Sequence, residues 1–271
     1  MGKQVLKKID TQAWDRISHS GNTVSLTGGL TTVSALTTGL AATLPQRSSS
    51  SALVISSAGA IAGWIDDHME HKFPARGKGF RGHLGALKQG KVTSGLLKIA
   101  TIGAGATLAA LIAQTPASSQ TALTATAKAK YRKFTSQLAH IGADSLILAG
   151  SANFVNLLDL RPGRALKVAS LTALPGLLCK GDARTLSAVI LTTSVANLPT
   201  DLSGHTMLGD MGANALGGVV GTVLTTTKSL PVKLLVLGTI SGLTLASEKI
   251  SFSEVIDNNS VLSYLDGLGR K

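Results

Sequence analysis

Residues 61–83 read "IAGWIDDHMEHKFPARGKGFRGH". An apolar run ends at two adjacent aspartates, Asp66 and Asp67, and a basic loop begins at once. Adjacent carboxylates repel, and one of them resists ionisation unless a cation lies near. At the end of an apolar segment such a pair is either a helix cap or part of a functional site.

The composition narrows the setting. The chain has 271 residues, of which only 15% are charged, against roughly a quarter in typical soluble domains. Aromatics make up 3%, there are 30 Gly, and mean hydropathy is +0.29. This mixture of Ala, Leu, Val, Thr, Ser and Gly suits packed membrane helices, where small residues let backbones approach. The net charge of +12 asks for an anionic partner. Basic residues are not interleaved with aromatics and no nucleic-acid motif occurs, so nucleic acid is not expected. Anionic lipid headgroups and phosphorylated substrates remain. The single cysteine, Cys179, excludes an internal disulfide and a thiolate metal site. "MGKQVLKKIDTQAWDRI" scatters charge among Val5, Leu6, Ile9, Trp14 and Ile17 and reads as an interfacial amphipathic helix, not a signal peptide. Residues 1–24 are therefore expected to form an amphipathic segment, and residues 25–271 a single domain.

A membrane helix needs about 20 mostly apolar residues. Eight segments qualify as candidates: 28–46, 51–65, 94–114, 138–156, 165–179, 184–199, 211–227 and 232–247. The expected fold is an all-α polytopic membrane helix bundle with about eight transmembrane helices. Asp66 and Asp67 end the second span, Asp159 follows the fourth, and Asp210 precedes the seventh. An even number of crossings separates these places, so the four carboxylates share one face. Arg76, Lys78, Arg81, Lys88, Lys91, Arg161, Arg164 and Lys167 lie on the same face, which the positive-inside rule makes cytoplasmic. "KAKYRK" at 128–133 falls on the other face.

Acidic residues rimmed by Lys and Arg are what a metal-bound diphosphate requires. Mg2+ takes carboxylate and phosphate oxygens and keeps several waters, and basic side chains take the remaining phosphate charge. Helix caps beside headgroup-binding loops are the alternative use of the same residues.

Three stretches, "GWIDDHMEHKFPARGKGFRGHLGALKQGKVTSGLLK", "ANFVNLLDLRPGRALK" and "LGDMGANALGG", together resemble the polyprenyl-phosphate N-acetylhexosamine-1-phosphate transferase family. That family includes phospho-N-acetylmuramoyl-pentapeptide transferase and the undecaprenyl-phosphate GlcNAc-1-phosphate transferases. The likeness runs from "SLTGG" at 25–29 to "SEKISFSEV" near the end. It implies transfer of a sugar-1-phosphate from a UDP-N-acetylhexosamine to undecaprenyl phosphate, with release of UMP and use of Mg2+, in bacterial cell-envelope glycan synthesis. It also implies a multi-pass protein of the bacterial plasma membrane with its active site facing the cytoplasm. The partners are then the two substrates and membrane lipid, with a homodimer left open. Carried over, Asp66 would deprotonate or orient the lipid phosphate, and Asp67 would help hold the metal–diphosphate. Asp210 would be the chief metal ligand. Asn156, Asp159, Lys78, Arg81, Lys91, Arg161, Arg164 and His205 would contact substrate.

The chain departs from the family pattern. Where the family reads "NLxDGxDGL", this chain reads "NLLDLRPGRA", with Pro162 in place of the second aspartate. Residues 248–271 lack the histidine that the family carries near its last span. A family member that binds polyprenyl phosphate or scaffolds envelope enzymes without turnover is the second expectation. Other motifs are weaker. "GALKQGKVT" at 85–93 nearly spells a P-loop, but Val92 stands where the hydroxyl must be. His68, His71 and His83 fit no zinc spacing. The glycines of 212–221 suit close helix packing.

Overall fold

The computed structural model describes residues 14–17, 21, 23–73, 82, 85–86, 88–115 and 127–270. A short hairpin opens them, with β1 (Asp15–Ile17) antiparallel to β2 (Thr23–Ser25). The remainder is helical: α1 (Thr27–Ala41), α2 (Arg47–Met69, extended by a 3-10 turn at Glu70–Lys72), α3 (Ser94–Gln114) and α4 (Ala127–Leu158). Then come α5 (Arg164–Leu177), α6 (Asp182–Leu202), α7 (Gly209–Thr225), α8 (Leu230–Ser247), α9 (Phe252–Asp257) and α10 (Ser260–Gly267). Each of the eight segments expected to be a span is a helix. Four are long and apolar enough to cross a membrane: α2, α3, the Phe134–Leu158 part of α4, and α8. The other four do not meet that measure. α1, α5 and α7 have 15, 14 and 17 residues, and α6 carries Thr, Ser and Asn among its apolar positions.

α7 is the axis of the bundle. Every residue from Gly212 to Val223 is buried, and α1, α2, α4, α5 and α6 all pack against it. A helix buried on all sides has no polar face, and its sequence, "GDMGANALGGVVGTVLT", shows none. The small residues set the spacing. Gly217 meets the backbone of Ser151 and Ala152 on α4, while Gly218 meets Ile55 on α2. On α2, Gly59 and Gly63 lie against the backbones of Asn214 and Asp210. The bundle core combines Leu36, Leu40, Leu166, Leu186, Ile190, Leu216 and Val219.

The outer helices are apolar in a different way. α8 buries only Lys233 and Ile240, leaving Leu234, Leu235 and Leu245 exposed. It leans on α4, where Lys233 Nζ meets Asp144 Oδ1 at 2.6 Å. Gln114 at the end of α3 donates to the other Asp144 oxygen at 2.7 Å. The two ends of the bundle can be named from α2: Arg47 starts it and Asp67 lies about 30 Å further along, at 1.5 Å per residue.

At the Asp67 end, α9 and α10 fold back over the loop that joins α4 to α5. Asp266 accepts from Arg164 Nε and NH2, both at 2.8 Å, and from Arg270 NH2 at 2.8 Å. Caps fix these short helices: Ser251 Oγ accepts from Glu254 N, and Asn259 Oδ1 accepts from Val261 N and Leu262 N. Thr93 does the same for α3, accepting from Leu96 N at 3.1 Å. The near-P-loop therefore ends in an ordinary helix cap, and the named element before it among the described residues is α2 with its 3-10 turn, not a strand. Of the amphipathic segment 1–24, residues 1–13, 18–20 and 22 lie outside the described residues, and 15–17 with 23–25 form the hairpin in place of helix.

Candidate functional site

Asp66 and Asp67 come at the end of α2 because Gly63, one turn earlier, has no side chain. A Cβ there would fall inside the backbone of Asp210. The acidic end of α2 is thus pressed against the first turn of α7. Asp67 caps that turn from outside: Oδ1 accepts from Asp210 N at 3.2 Å, and Oδ2 accepts from Met211 N at 3.0 Å. These amides have no partner within α7, and a carboxylate there also meets the positive end of the helix dipole. Gly209 enters α7 with a φ of 59°, and a Cβ on it would lie 3.1 Å from Asp67 Oδ2. Both constraints exclude a larger residue.

Asp66 and Asp210 meet a common cation, Lys98 on α3. Its Nζ lies 3.5 Å from Asp66 Oδ2 and in direct contact with Asp210 Oδ2. Asn156, near the end of α4, completes the group. With its amide turned so that both atoms face complementary partners, Nδ2 donates to Asp210 Oδ1 at 3.0 Å and Oδ1 accepts from Lys98 Nζ at 2.9 Å. Asn214 on α7 donates to the Asp210 carbonyl at 2.6 Å, one turn back. One ammonium is therefore held by oxygens from α2, α4 and α7, and 13% of its side chain reaches solvent.

These residues border a cavity of 530 Å³. Asp66, Asp67, Asn156, Asp159 and Asp210 line it together, so the residues placed on one face by counting crossings also meet at one opening. Arg16 lines it too and donates to the Asp67 carbonyl. The hairpin is held over this end by Ser25 N donating to His205 O at 3.1 Å and Met207 N donating to Ser25 O at 3.0 Å. Gly28 and Gly29, from "SLTGG", lie against the carbonyls of Met207 and Leu208, just ahead of Asp210.

Two further acids form the floor. Asp159 and Asp201 are 7% and 3% exposed, and Asp201 accepts from Gly163 N. Asp159 Oδ2 and Asp201 Oδ1 are each buried without a hydrogen-bond partner among the described residues. Burial, reinforced by the neighbouring carboxylates of Asp201 and Asp210, pushes the Asp159 carboxyl well above its ordinary range.

The other expected site residues are elsewhere or otherwise engaged. Arg161 lines the cavity but pairs with Asp257 at 2.7 Å. Arg164 is 3% exposed and sealed against Asp266, so the expected phosphate contact is replaced by an internal ion pair. His205 is exposed, bonds Ser203 Oγ through Nδ1 at 2.6 Å, and does not line the cavity. Lys91 is exposed ahead of α3 and is also absent from the lining. Lys78 and Arg81 lie outside the described residues.

Lys98 and Asp201 were not singled out from the sequence, although each carried a signal. Lys98 is the one charge within the apolar run 94–114, and an ionisable residue inside such a run is a functional candidate. Asp201 ends the 184–199 segment on the same face as the other acids. Among the described residues no three His, Cys, Asp or Glu side chains are grouped so as to hold a metal ion unaided. Comparison of the chain with family models, curated proteins and solved structures finds no match.

Proposed function

We propose that the chain is a multi-pass membrane transferase that moves an N-acetylhexosamine-1-phosphate from a UDP-sugar to undecaprenyl phosphate and releases UMP. One observation carries this reading. Acids and an amide from three separated stretches (Asp66 and Asp67, Asn156 and Asp159, and Asp210) border one cavity, and Asp66, Asn156 and Asp210 meet on one part-buried lysine, Lys98. The exposed apolar residues of α8 support a lipid setting, and the basic loops at this end support a cytoplasmic face.

In the proposed reaction a lipid phosphate oxygen forms a bond to the phosphorus that carries the sugar. The P–O bond to the uridine phosphate breaks, and UMP leaves. Lys98 supplies a positive charge beside the reacting phosphates, where preorganised charge does most in phosphoryl transfer. Asp66 orients the incoming phosphate through that ammonium. Asp67 holds the α7 amides and so fixes Asp210.

The donors fit Mg2+ bound partly by substrate. Asp66, Asp210 and the Asn156 oxygen already converge on a single positive centre, and Mg2+ commonly takes one or two carboxylates and fills its shell with phosphate oxygens and water. Asp66 and Asp210 would hold it, with Asp67 kept to its role as a cap. Bound there, Mg2+ would neutralise the diphosphate and the departing UMP.

A reading without turnover has its own support. Pro162 replaces the family's second aspartate, and Arg164 is committed to Asp266. An assay of the purified chain in nanodiscs, with undecaprenyl phosphate and a panel of UDP-N-acetylhexosamines, separates the two. We expect UMP release that is lost in Asp210→Asn. No release from wild type with any donor would leave only the binding role.

A further inference from the structure

The end of the bundle opposite Asp67 holds a second cavity, of 780 Å³, larger than the first. Its lining draws Arg47 from the start of α2, Lys180 from the α5–α6 turn, Lys228 from the α7–α8 turn and Lys233 from α8. Asp182 is the one acid in the lining among the described residues. Four cations from four places meet here in a chain that is only 15% charged, and like charges brought together repel at a cost that grows as water is excluded.

Helix capping accounts for two of the four. Lys180 and Lys228 follow the ends of α5 and α7, where a cation meets the negative end of the dipole. A third, Arg47, begins α2, where the dipole disfavours a cation, but donates to the Thr115 carbonyl at the end of α3. None of this accounts for Lys233. That residue is 1% exposed and sits in the first turn of α8, again the wrong end for a positive charge. Asp144, which is not in the lining, compensates Lys233 and is held in turn by Gln114, so a charged group is kept in the cavity wall. Ser48, next to Arg47 and 8% exposed, lines the cavity with a buried hydroxyl that has no hydrogen-bond partner among the described residues. A buried hydroxyl and a buried lysine lining one cavity present donors to a group that accepts several hydrogen bonds.

We propose that this cavity binds a phosphate-bearing anion. Tetrahedral phosphate oxygens accept from an ammonium, a guanidinium and a hydroxyl at once, and Arg and Lys from separate elements suit such a group. The volume exceeds what one phosphate fills, so the group is a phospholipid headgroup or a soluble phosphate or diphosphate. The site is independent of the transferase reading, since the two cavities lie at opposite ends of α2.

The test uses the full chain in nanodiscs and two probes. Inorganic diphosphate is measured by equilibrium binding in phosphatidylcholine discs. Phosphatidylglycerol is measured by native mass spectrometry of protein released from mixed discs, as retention over phosphatidylcholine. The double variant Lys180→Gln/Lys228→Gln alters two exposed residues, and Lys98→Gln removes the ammonium held between Asp66 and Asp210 at the other end. We expect wild type to bind at least one probe, with affinity falling about tenfold or more in the double variant, and the same fall when the two changes are made on a Lys98→Gln background, where the other site is disabled. Binding of phosphatidylglycerol alone identifies a lipid headgroup, and binding of diphosphate alone identifies a soluble ligand. The proposal is overturned if wild type binds neither probe, if the double variant binds as well as wild type, or if Lys98→Gln alone removes all of the binding.

Discussion

Lys98 Nζ contacts Asp210 Oδ2 and lies 3.5 Å from Asp66 Oδ2, so that one ammonium on α3 joins the acidic end of α2 to the first turn of α7. The lysine is the centre of the cluster, and the carboxylates are arranged around it.

Replacing that centre should therefore separate charge from shape. Lys98→Met keeps the length of the side chain and removes the ammonium, leaving Asp66 and Asp210 facing each other uncompensated. We expect UMP release to fall by a factor of about 100 or more, the scale of removing one preorganised electrostatic group, with Lys98→Arg retaining part of it. An initial-rate assay on detergent-purified variants with matched melting profiles measures this. Equal activity in Lys98→Met and wild type would remove Lys98 from the site.

Gly63 makes the same junction possible by steric means. Gly63→Ala would put a methyl group into the Asp210 backbone, which cannot rotate away as a side chain can. Overpacking of this kind costs about 1–3 kcal/mol. We expect a lower unfolding midpoint in detergent and a loss of activity greater than that of Ala substitution at Gly103, where the space is open.

The Lys233–Asp144 pair can be dissected by a double-mutant cycle. Both residues are nearly inaccessible, at 1% and 2% side-chain exposure. Removing one partner strands the other charge and should cost about 3–5 kcal/mol, whereas removing both should cost far less. The stabilities of Lys233→Met, Asp144→Leu and the double variant, measured together, decide it. Additive losses would mean that the two charges do not depend on each other.

Asp266 gives the fold a dependence on acid. Burial works to raise its carboxyl, but hydrogen bonds from Arg164 and then Arg270 outweigh it and bring it from 3.8 down to about 2. A carboxyl held low in the folded state stabilises fully above its unfolded value of 3.8, and that contribution fades as pH falls toward 2. We expect α9 and α10 to detach between about pH 4 and pH 2, seen as proteolytic cleavage after residue 247 by an acid-active protease. Asp266→Asn should be cleaved in the same region by a neutral protease that spares wild type, with no acid step.

How much of this could be read in advance depended on what each residue touched. The eight helical segments were legible because turn residues punctuate the apolar runs, and the boundaries of 94–114 match α3 to the residue. The number of lipid-length helices was not, because α7 faces protein on all sides and needs neither length nor strong apolarity. The meeting of Asp66, Asp67, Asn156, Asp159 and Asp210 was foreshadowed by counting crossings. Arg164 was misread for a simple reason: its partner Asp266 is 102 positions away, and nothing local to "RPGRALK" distinguishes a ligand-binding arginine from a paired one. Gly59 and Gly63 were passed over because a glycine inside an apolar run resembles a weak point when it is in fact a contact.

The central position of α7 has a consequence for how the protein is made. The helix that α1, α2, α4, α5 and α6 pack around begins only at Gly209 of 271. Six helices must leave the ribosome and wait, their glycine-lined grooves unfilled, before the element that unites them is synthesised. Chains cut short before that point would have helices but no common centre, and a cell's quality-control proteases would meet them as separate, loosely associated hairpins.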